Sequence, residues 1–129
     1  MQLSEHFSDA EFKCKCGCGE SVVDARLVKA IQEIRYQINA PITINSGYRC
    51  PKHNAAVGGE KNSQHMRGTA ADISSPVGID VLRGVARTLP SINGIGYDPA
   101  RGFLHVDVRT GKRVEWTYVH GKAVIERLV

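Results

Sequence analysis

The sequence of 129 residues lacks any apolar run approaching the ~20 residues that a transmembrane helix needs. Its first residues also lack the basic segment followed by an apolar one that is typical of a signal peptide. We therefore expect no membrane span, and synthesis in the cytoplasm without a signal peptide. Any action outside the cell would then need release or delivery by other means.

Dense charge runs, internal repeats and low-complexity segments are absent as well. The net charge is +4 and the basic residues are spread along the chain, so we expect no nucleic-acid partner; an anionic polymer such as bacterial cell wall fits this mild charge. Apolar residues make up 42% of the chain, which is typical of a folded protein. We expect one domain over residues 1–129, and a monomer.

The cysteines are unevenly distributed. Three of the four cysteines lie in the run Cys14-Lys15-Cys16-Gly17-Cys18, and the fourth is Cys50. Cysteines two apart do not easily form a disulfide with each other, because disulfides need particular Cβ directions. Thiolates that hold a structural metal and disulfides from the run to Cys50 are therefore both open interpretations, and free thiols are a third.

Apolar residues at spacings of three and four, such as Leu27, Ile31 and Ile34, predict helices. The predicted helical segments are 24–38, 53–57 and 79–89, after a capped turn at 8–12. The predicted strands are 42–45, 69–73, 92–97 and 103–108, with a final hairpin formed by 114–118 and 123–129. Helices together with mostly hairpin-linked strands predict an α+β domain.

Histidine and aspartate form the most distinctive pattern. His65 and Asp72 lie seven positions apart with the spacer Gly68-x-Ala70-Ala71 between them, and His105-Val106-Asp107 follows downstream. Imidazole and carboxylate are good zinc ligands, and three protein ligands leave one position open for water. We predict a zinc site of His65, Asp72 and His105. Asp107 would point to the same face of its strand as His105, beside the metal without being a ligand.

Other interpretations stay open on spacing alone. A single histidine is more often a surface or hydrogen-bonded residue than a ligand, and an aspartate can cap a turn. Trp116 and Tyr118 alternate on the final hairpin, and we expect them in the sheet core rather than on a glycan-binding surface. We interpret a basic cluster as a solvated turn rather than a contact with the cell wall: Arg109, Lys112 and Arg113.

Four motifs together have a familiar order: Cys-Lys-Cys-Gly-Cys at 14–18, Ser-Gly-Tyr-Arg-Cys-Pro-x-His-Asn at 46–54, Ser-x-His-x-x-Gly-x-Ala-x-Asp at 63–72 and His-Val-Asp-Val-Arg at 105–109. The chain resembles the zinc D,D-peptidases of the M15 class from about Phe7 to Arg109. That class includes D-Ala-D-Ala carboxypeptidases, vancomycin-resistance dipeptidases and phage endolysins. Members of the small branch with these motifs are often encoded by phages.

The resemblance implies the α+β fold shared with the hedgehog signalling domain, a small and mostly antiparallel sheet flanked by helices. It implies the same three zinc ligands, His65, Asp72 and His105. It places Arg49 near the substrate and the bound water, and it makes Ser63 a hydrogen-bond donor to substrate. The implied reaction is zinc-dependent hydrolysis of a peptide bond in bacterial cell-wall stem peptides, by a carboxypeptidase or an endopeptidase.

One position departs from the family pattern. The vancomycin-resistance enzymes carry a glutamate general base three residues before the last histidine ligand, and here that residue is Gly102. Asp107 is our candidate for the base, with the alternative that it orients a ligand or Arg49; Asp98 is a weaker candidate. Without a base, the cleft would bind peptidoglycan or a protein partner without cutting it. A zinc held by the four cysteines would be a second, structural ion.

Overall fold

The structure, a computed structural model, describes residues 1–128. The helices are α1 (Ala25–Ile38), α2 (Pro51–Ala56) and α3 (Ile79–Thr88), with short 3-10 helices at Asp9–Phe12 and Gln64–Arg67. The strands are β1 (Thr43–Ser46), β2 (Ala70–Ser74), β3 (Gly94–Asp98), β4 (Phe103–Asp107), β5 (Val114–Val119) and β6 (Lys122–Leu128). The α+β prediction is therefore confirmed.

Helix α1 begins where the sequence predicts, because Asp24 accepts a hydrogen bond from the backbone N–H of Arg26 at 2.8 Å. It ends at Asn39, which adopts the left-handed conformation that terminates many helices. The apolar face of α1 contributes Leu27, Ile31 and Ile34 to the core, all nearly inaccessible to water. Burial of that stripe, rather than helix propensity alone, holds α1 in place.

The six strands form one sheet in the order β1-β2-β4-β3-β5-β6. Every pair is antiparallel except β3 and β5, which run parallel. The register places Asp72 opposite His105, His105 opposite Gly96, and Gly96 opposite Trp116. A single row of residues thus crosses four strands on one face of the sheet.

The two faces of this sheet differ in chemistry because side chains alternate along each strand. Helices α1 and α3 cover one face, where Ile73, Ile95, Leu104 and Val106 join the core. Asp72, His105, Asp107 and Trp116 occupy the opposite face. Because α1 and α3 pack on the apolar face of the β-sheet, its polar face is available for a functional site.

Glycine is required on that polar face at two positions of β3. A Cβ at Gly96 would lie 2.6 Å from Nε1 of Trp116, and a Cβ at Gly94 would overlap the carboxylate of Asp107. The side chains of β4 and β5 therefore lean across β3 and meet above it. This close approach depends on the missing side chains.

The predicted elements are found to within about two residues, with three qualifications. The turn at Gln64–Arg67 was not predicted, the strand predicted from residue 92 begins at Gly94, and the last residue of the predicted hairpin, Val129, lies outside the described residues. Among the described helices, none is long and apolar enough to cross a membrane.

The interpretation of the basic cluster as a solvated turn is wrong for Arg109, whose guanidinium is paired with the buried Asp107, and for Arg113. The guanidinium of Arg113 donates to three backbone carbonyls, those of Ile92 at 2.9 Å, Arg87 at 2.6 Å and Leu89 at 2.6 Å. It therefore fixes the segment that leads from α3 into β3. The sequence pattern could not show this, because the acceptors are backbone groups more than twenty positions upstream.

Candidate metal centre

The structure brings together the three side chains that the sequence predicted as zinc ligands. His65, Asp72 and His105 each offer one ligand atom, and these atoms lie within 4.8 Å of one another. All three side chains are buried, with 3%, 5% and 5% of their residue surface exposed. Polar groups this deeply buried need partners, and a shared cation would serve all three at once.

His65 is positioned by the short 3-10 helix and by the loop before α2. The hydroxyl of Ser63 caps this helix by accepting the backbone N–H of His65 at 3.1 Å, and Gly68 ends it with a φ of 72°. Ring atom Nδ1 of His65 lies 2.7 Å from the carbonyl of Gly47 and so carries the proton. Nε2 is then left to face Asp72, at 3.2 Å from Oδ1.

His105 faces the same oxygen through its other ring atom. Nδ1 of His105 lies 3.1 Å from Oδ1 of Asp72, while Nε2 lies 2.7 Å from Oδ2 of Asp107. The pairing of β2 with β4 sets the first contact, and the two-residue period of β4 sets the second. His65 would therefore ligate through Nε2 and His105 through Nδ1.

The donor set and spacing fit zinc. Two imidazole nitrogens and one carboxylate oxygen are ligands that zinc prefers, at metal–ligand distances of about 2.0–2.1 Å. A tetrahedron of that size has edges of about 3.3 Å, and the nitrogen–oxygen separations here are 3.2 and 3.1 Å. Three ligands leave the fourth tetrahedral position to a ligand from the cavity.

Charge around Asp72 keeps it ionised. Burial works to raise the pKa of Asp72, but hydrogen bonds from His105 and His65 outweigh burial and hold that pKa well below its usual range. Nη2 of Arg49 lies 3.2 Å from Oδ2 of Asp72, the oxygen that does not face the histidines. The carboxylate is thus ready to act as an anionic ligand.

The pKa of His105 is shifted in the opposite direction. Burial works to lower its pKa, but hydrogen bonds to Asp107 and Asp72 raise the pKa of His105 to about 9. A proton therefore occupies the position at which a metal would bind. Binding of a cation must release that proton, which couples metal affinity to pH.

Asp107 lies behind His105, away from the cavity. It has no exposed surface and receives Nε and Nη2 of Arg109 at 2.9 and 2.7 Å as well as the ring of His105. His105 and Asp107 lie on the same face of β4, as the sequence predicted. The other candidate base, Asp98, is buried and accepts both the backbone N–H and the Nε of Arg101 at 2.9 and 2.6 Å.

A cavity of about 290 Å³ opens over the three candidate ligands. Its lining includes Arg49 and Ser63, the residues for which the resemblance implied contact with substrate. Three aromatic side chains, Phe103, Trp116 and Tyr118, form part of its wall. Trp116 is buried and Tyr118 half-buried, as expected for sheet residues, but both also face the cavity.

Two features of the cavity were missed from the sequence. Glu60 lines it, and among the described lining residues it is the one carboxylate besides Asp72. Tyr118 lies there with its pKa raised to about 12 by burial, so its phenol keeps a proton to donate. No local sequence pattern marks Glu60, and the alternation of Trp116 and Tyr118 did not predict this cavity, because Glu60 and Tyr118 reach it only through folding.

The four cysteines form a second cluster outside this cavity. Their sulfur atoms lie within 4.8 Å of one another, and none is in a disulfide. Cys14 and Cys50 are buried, and Cys16 and Cys18 are exposed. The structure thus brings the N-terminal run to the residue that follows Arg49.

Two histidines and an aspartate at the floor of an open cavity form the type of site that mononuclear zinc hydrolases use. The chain belongs to the Peptidase M15 family, whose model matches residues 5–107. The resemblance read from the four motifs is thereby confirmed. The α+β architecture, with its mostly antiparallel sheet, is consistent with that family's fold.

Two curated proteins are similar to this chain. A zinc D-Ala-D-Ala carboxypeptidase of Streptomyces albus G is 38% identical over 80 residues, which are 59% of this chain and 31% of that protein. A probable peptidoglycan L,D-endopeptidase, MepK, of Haemophilus influenzae is 38% identical over 85 residues, 59% of this chain and 45% of that protein. The match therefore covers less than half the length of either relative.

Proposed function

We propose that this protein is a zinc-dependent peptidase that hydrolyses an amide bond in bacterial cell-wall stem peptides, as a carboxypeptidase or an endopeptidase. The convergence of His65, Asp72 and His105 at the floor of an open cavity carries this proposal. Membership of the Peptidase M15 family supports the class of reaction. The names of the two relatives, a D-Ala-D-Ala carboxypeptidase and a probable peptidoglycan L,D-endopeptidase, support the substrate class.

Zinc, when bound by these three residues, supplies Lewis acidity that acidifies a water molecule and polarises a carbonyl group. Arg49 lies beside the site and donates to Asp72, Ser46 and Asn54 at 3.2, 3.2 and 3.3 Å. These bonds fix the guanidinium at the edge of the cavity. In that position it can hold a substrate carboxylate or the negative charge that develops on a carbonyl oxygen.

Tyr118 provides a neutral donor in the same cavity. With a pKa of about 12, the phenol is protonated at neutral pH and can donate a hydrogen bond to the peptide carbonyl. The aromatic wall that it forms with Trp116 would exclude water from one side of the substrate. We assign substrate positioning to this wall.

Proton transfer needs a carboxylate that can exchange protons with the cavity. We assign this role to Glu60, which is exposed and lines the cavity. Asp107 suits the role of base poorly, because it is fully buried and held by His105 and Arg109. We therefore assign Asp107 to orienting His105, the alternative role that its sequence position allowed.

Digestion of purified peptidoglycan by the zinc-loaded protein, with product masses determined, tests this function. Release of single terminal residues would identify a carboxypeptidase, and release of cross-linked or internal fragments an endopeptidase. His65→Ala should abolish cleavage and lower the bound zinc. A matched control is His6→Asn, because His6 contacts Gln32 and Tyr36 of α1, away from the cavity.

A protein that binds zinc at the three ligands but leaves the peptidoglycan uncut at any pH would refute a hydrolytic function. The alternative of a non-catalytic binding module would then be supported if the same protein sedimented with peptidoglycan. Undiminished cleavage by a His65→Ala variant that had lost its zinc would refute the assigned metal site.

A further inference from the structure

We propose that Cys14, Cys16, Cys18 and Cys50 bind a second zinc ion as four thiolates, at a structural site that holds the loop carrying Arg49 against the N-terminal segment. This site is separate from the histidine centre and needs no substrate. Four protein ligands close the coordination shell, which is the arrangement of structural rather than catalytic zinc.

The separations between the sulfur atoms fit a tetrahedral thiolate site, with all four sulfurs within 4.8 Å of one another. The Sγ atoms of Cys14 and Cys16 are 3.4 Å apart, and Sγ of Cys50 lies 3.7 Å from each of them. Zinc–sulfur bonds of about 2.3 Å give a tetrahedron with edges of about 3.8 Å. A disulfide would need sulfurs about 2 Å apart, and none of the four cysteines is in one.

Backbone N–H groups point at the sulfurs. The N–H of Cys50 donates to Sγ of Cys14, that of His53 to Sγ of Cys50, and that of Glu20 to Sγ of Cys18, each at 3.4 Å. Donors aimed at sulfur favour the thiolate form and are common around metal-bound cysteines. Three of the four sulfurs thus have an environment suited to a negative charge.

The backbone conformation of residues 14–19 explains how cysteines spaced only two positions apart can bind one ion. Gly17 and Gly19 adopt φ values of 88° and 79°, in the left-handed region that residues with a Cβ avoid. The turn at Gly17, between Cys16 and Cys18, lets cysteines separated by single residues direct their sulfurs to one point, and the turn at Gly19 directly follows the run. The run therefore needs no longer Cys-x-x-Cys spacing to supply three ligands.

The cluster is linked to the catalytic cavity through residues 47–50. Tyr48 packs with Cys14 and Cys50, and its N–H donates to the carbonyl of Phe12 at 2.9 Å. Arg49 follows directly, and its N–H donates to the carbonyl of His65 at 3.1 Å. The carbonyl of Gly47 in turn accepts Nδ1 of His65. A zinc at the cysteines would therefore fix both the arginine and one histidine ligand.

The site also closes a long loop. Cys14 and Cys50 are 36 positions apart, and joining two such distant segments removes conformational freedom from the unfolded chain. Because the liganded site forms only in the folded chain, metal binding would add directly to folding stability. The segment 46–50 contains no helix and only the last residue of β1, so it gains most from this restraint.

Metal content and cobalt absorption test the proposal together. The wild-type protein should hold about two zinc ions per chain, and both His65→Ala and Cys18→Ser should hold about one. Cobalt(II) substitution should give an intense sulfur-to-metal charge-transfer band in wild type and in His65→Ala. The band should weaken strongly in Cys18→Ser, which replaces an exposed ligand and spares the core.

Hydrogen exchange tests the link to the active-site loop. The amides of Tyr48 and Arg49 should exchange at least ~10-fold faster in Cys18→Ser than in wild type, while those of β4 keep their protection. The cobalt band of wild type needs no variant, so a misfolded variant leaves the test intact. His65→Ala separates the two hypotheses, since it removes the peptidase site but not the cysteine site.

Three results would overturn the proposal. One is a single zinc per chain in wild type with four freely reactive thiols. Another is a native mass lower by two hydrogens per disulfide, which would show oxidised cysteines. The third is a thiolate band absent from cobalt-loaded wild type. Loss of peptidoglycan cleavage without any of these would count against the proposed function alone.

Discussion

Replacing Asp107 by Asn separates a residue that orients a metal ligand from one that transfers protons. The carboxylate is fully buried, receives Nε2 of His105 at 2.7 Å and is paired with Arg109 at 2.7 Å. Asn keeps the shape and an oxygen acceptor but loses the charge that sets the ring's orientation and basicity. We expect zinc affinity to fall by about 10–100-fold, or ~1.4–2.7 kcal/mol.

Turnover at saturating zinc should fall much less, by under about 10-fold, because the variant retains the cavity and Glu60. The pKa of Asp107 supports this expectation. Burial works to raise it, but hydrogen bonds from His105 and Arg109 hold the pKa of Asp107 well below its usual range. A carboxylate that holds protons so weakly is a poor base at neutral pH.

The assay measures zinc affinity by competition with a chromophoric chelator, and turnover on a stem peptide at saturating zinc. Asp80→Asn is the matched control, because the side chain of Asp80 is 75% exposed and lies on α3. Unchanged zinc affinity with turnover lowered by ~100-fold or more would make Asp107 the general base and refute this reasoning. Asp107→Ala should also destabilise the fold by ~3–5 kcal/mol, because Arg109 and His105 lose their buried partner.

Three further predictions concern the cavity and its metal. Glu60→Gln should keep zinc and lower turnover by ~100-fold or more, and near-normal turnover would remove Glu60 from the mechanism. Gly96→Ala should lower the free energy of unfolding by ~1–3 kcal/mol in a thermal melt, because the added Cβ displaces Trp116. The control Gly84→Ala on α3 should not destabilise the protein, because a Cβ there meets nothing within 4 Å. Zinc affinity should rise about tenfold per pH unit below pH 9, because the raised pKa of His105 means that zinc must displace a proton. Titration calorimetry at several pH values measures this, and a zinc affinity that did not change with pH would contradict it.

Much of the fold follows from local sequence pattern. The stripe of Leu27, Ile31 and Ile34 predicts α1, and Asp24 and Asn39 mark its ends, because capping and amphipathicity are local properties. The first strand is likewise recognisable as a short β-branched run, and the final hairpin by its alternating residues. The parallel pairing of β3 with β5 is not, since strand order depends on contacts between distant segments.

The candidate ligands could be named in advance for a similar reason. His65 and Asp72 sit in one motif, and the two-residue period of a strand already places Asp107 on the face of His105. The two-residue period of the strand could not predict the order of Asp72, His105 and Asp107 in space. His105 lies between Asp107 and Asp72, which is why the structure favours an orienting role for Asp107.

The sequence by itself determined the residue types: the donors of the metal centre, the four thiols, and the glycines that let strands and turns approach closely. Only the tertiary structure decided that Glu60 and Tyr118 share the cavity, that Arg109 is paired with Asp107, and that the thiols converge beside Arg49. The reason is physical. A side chain's own pattern fixes which face of its element it occupies, but its partners depend on how distant elements pack.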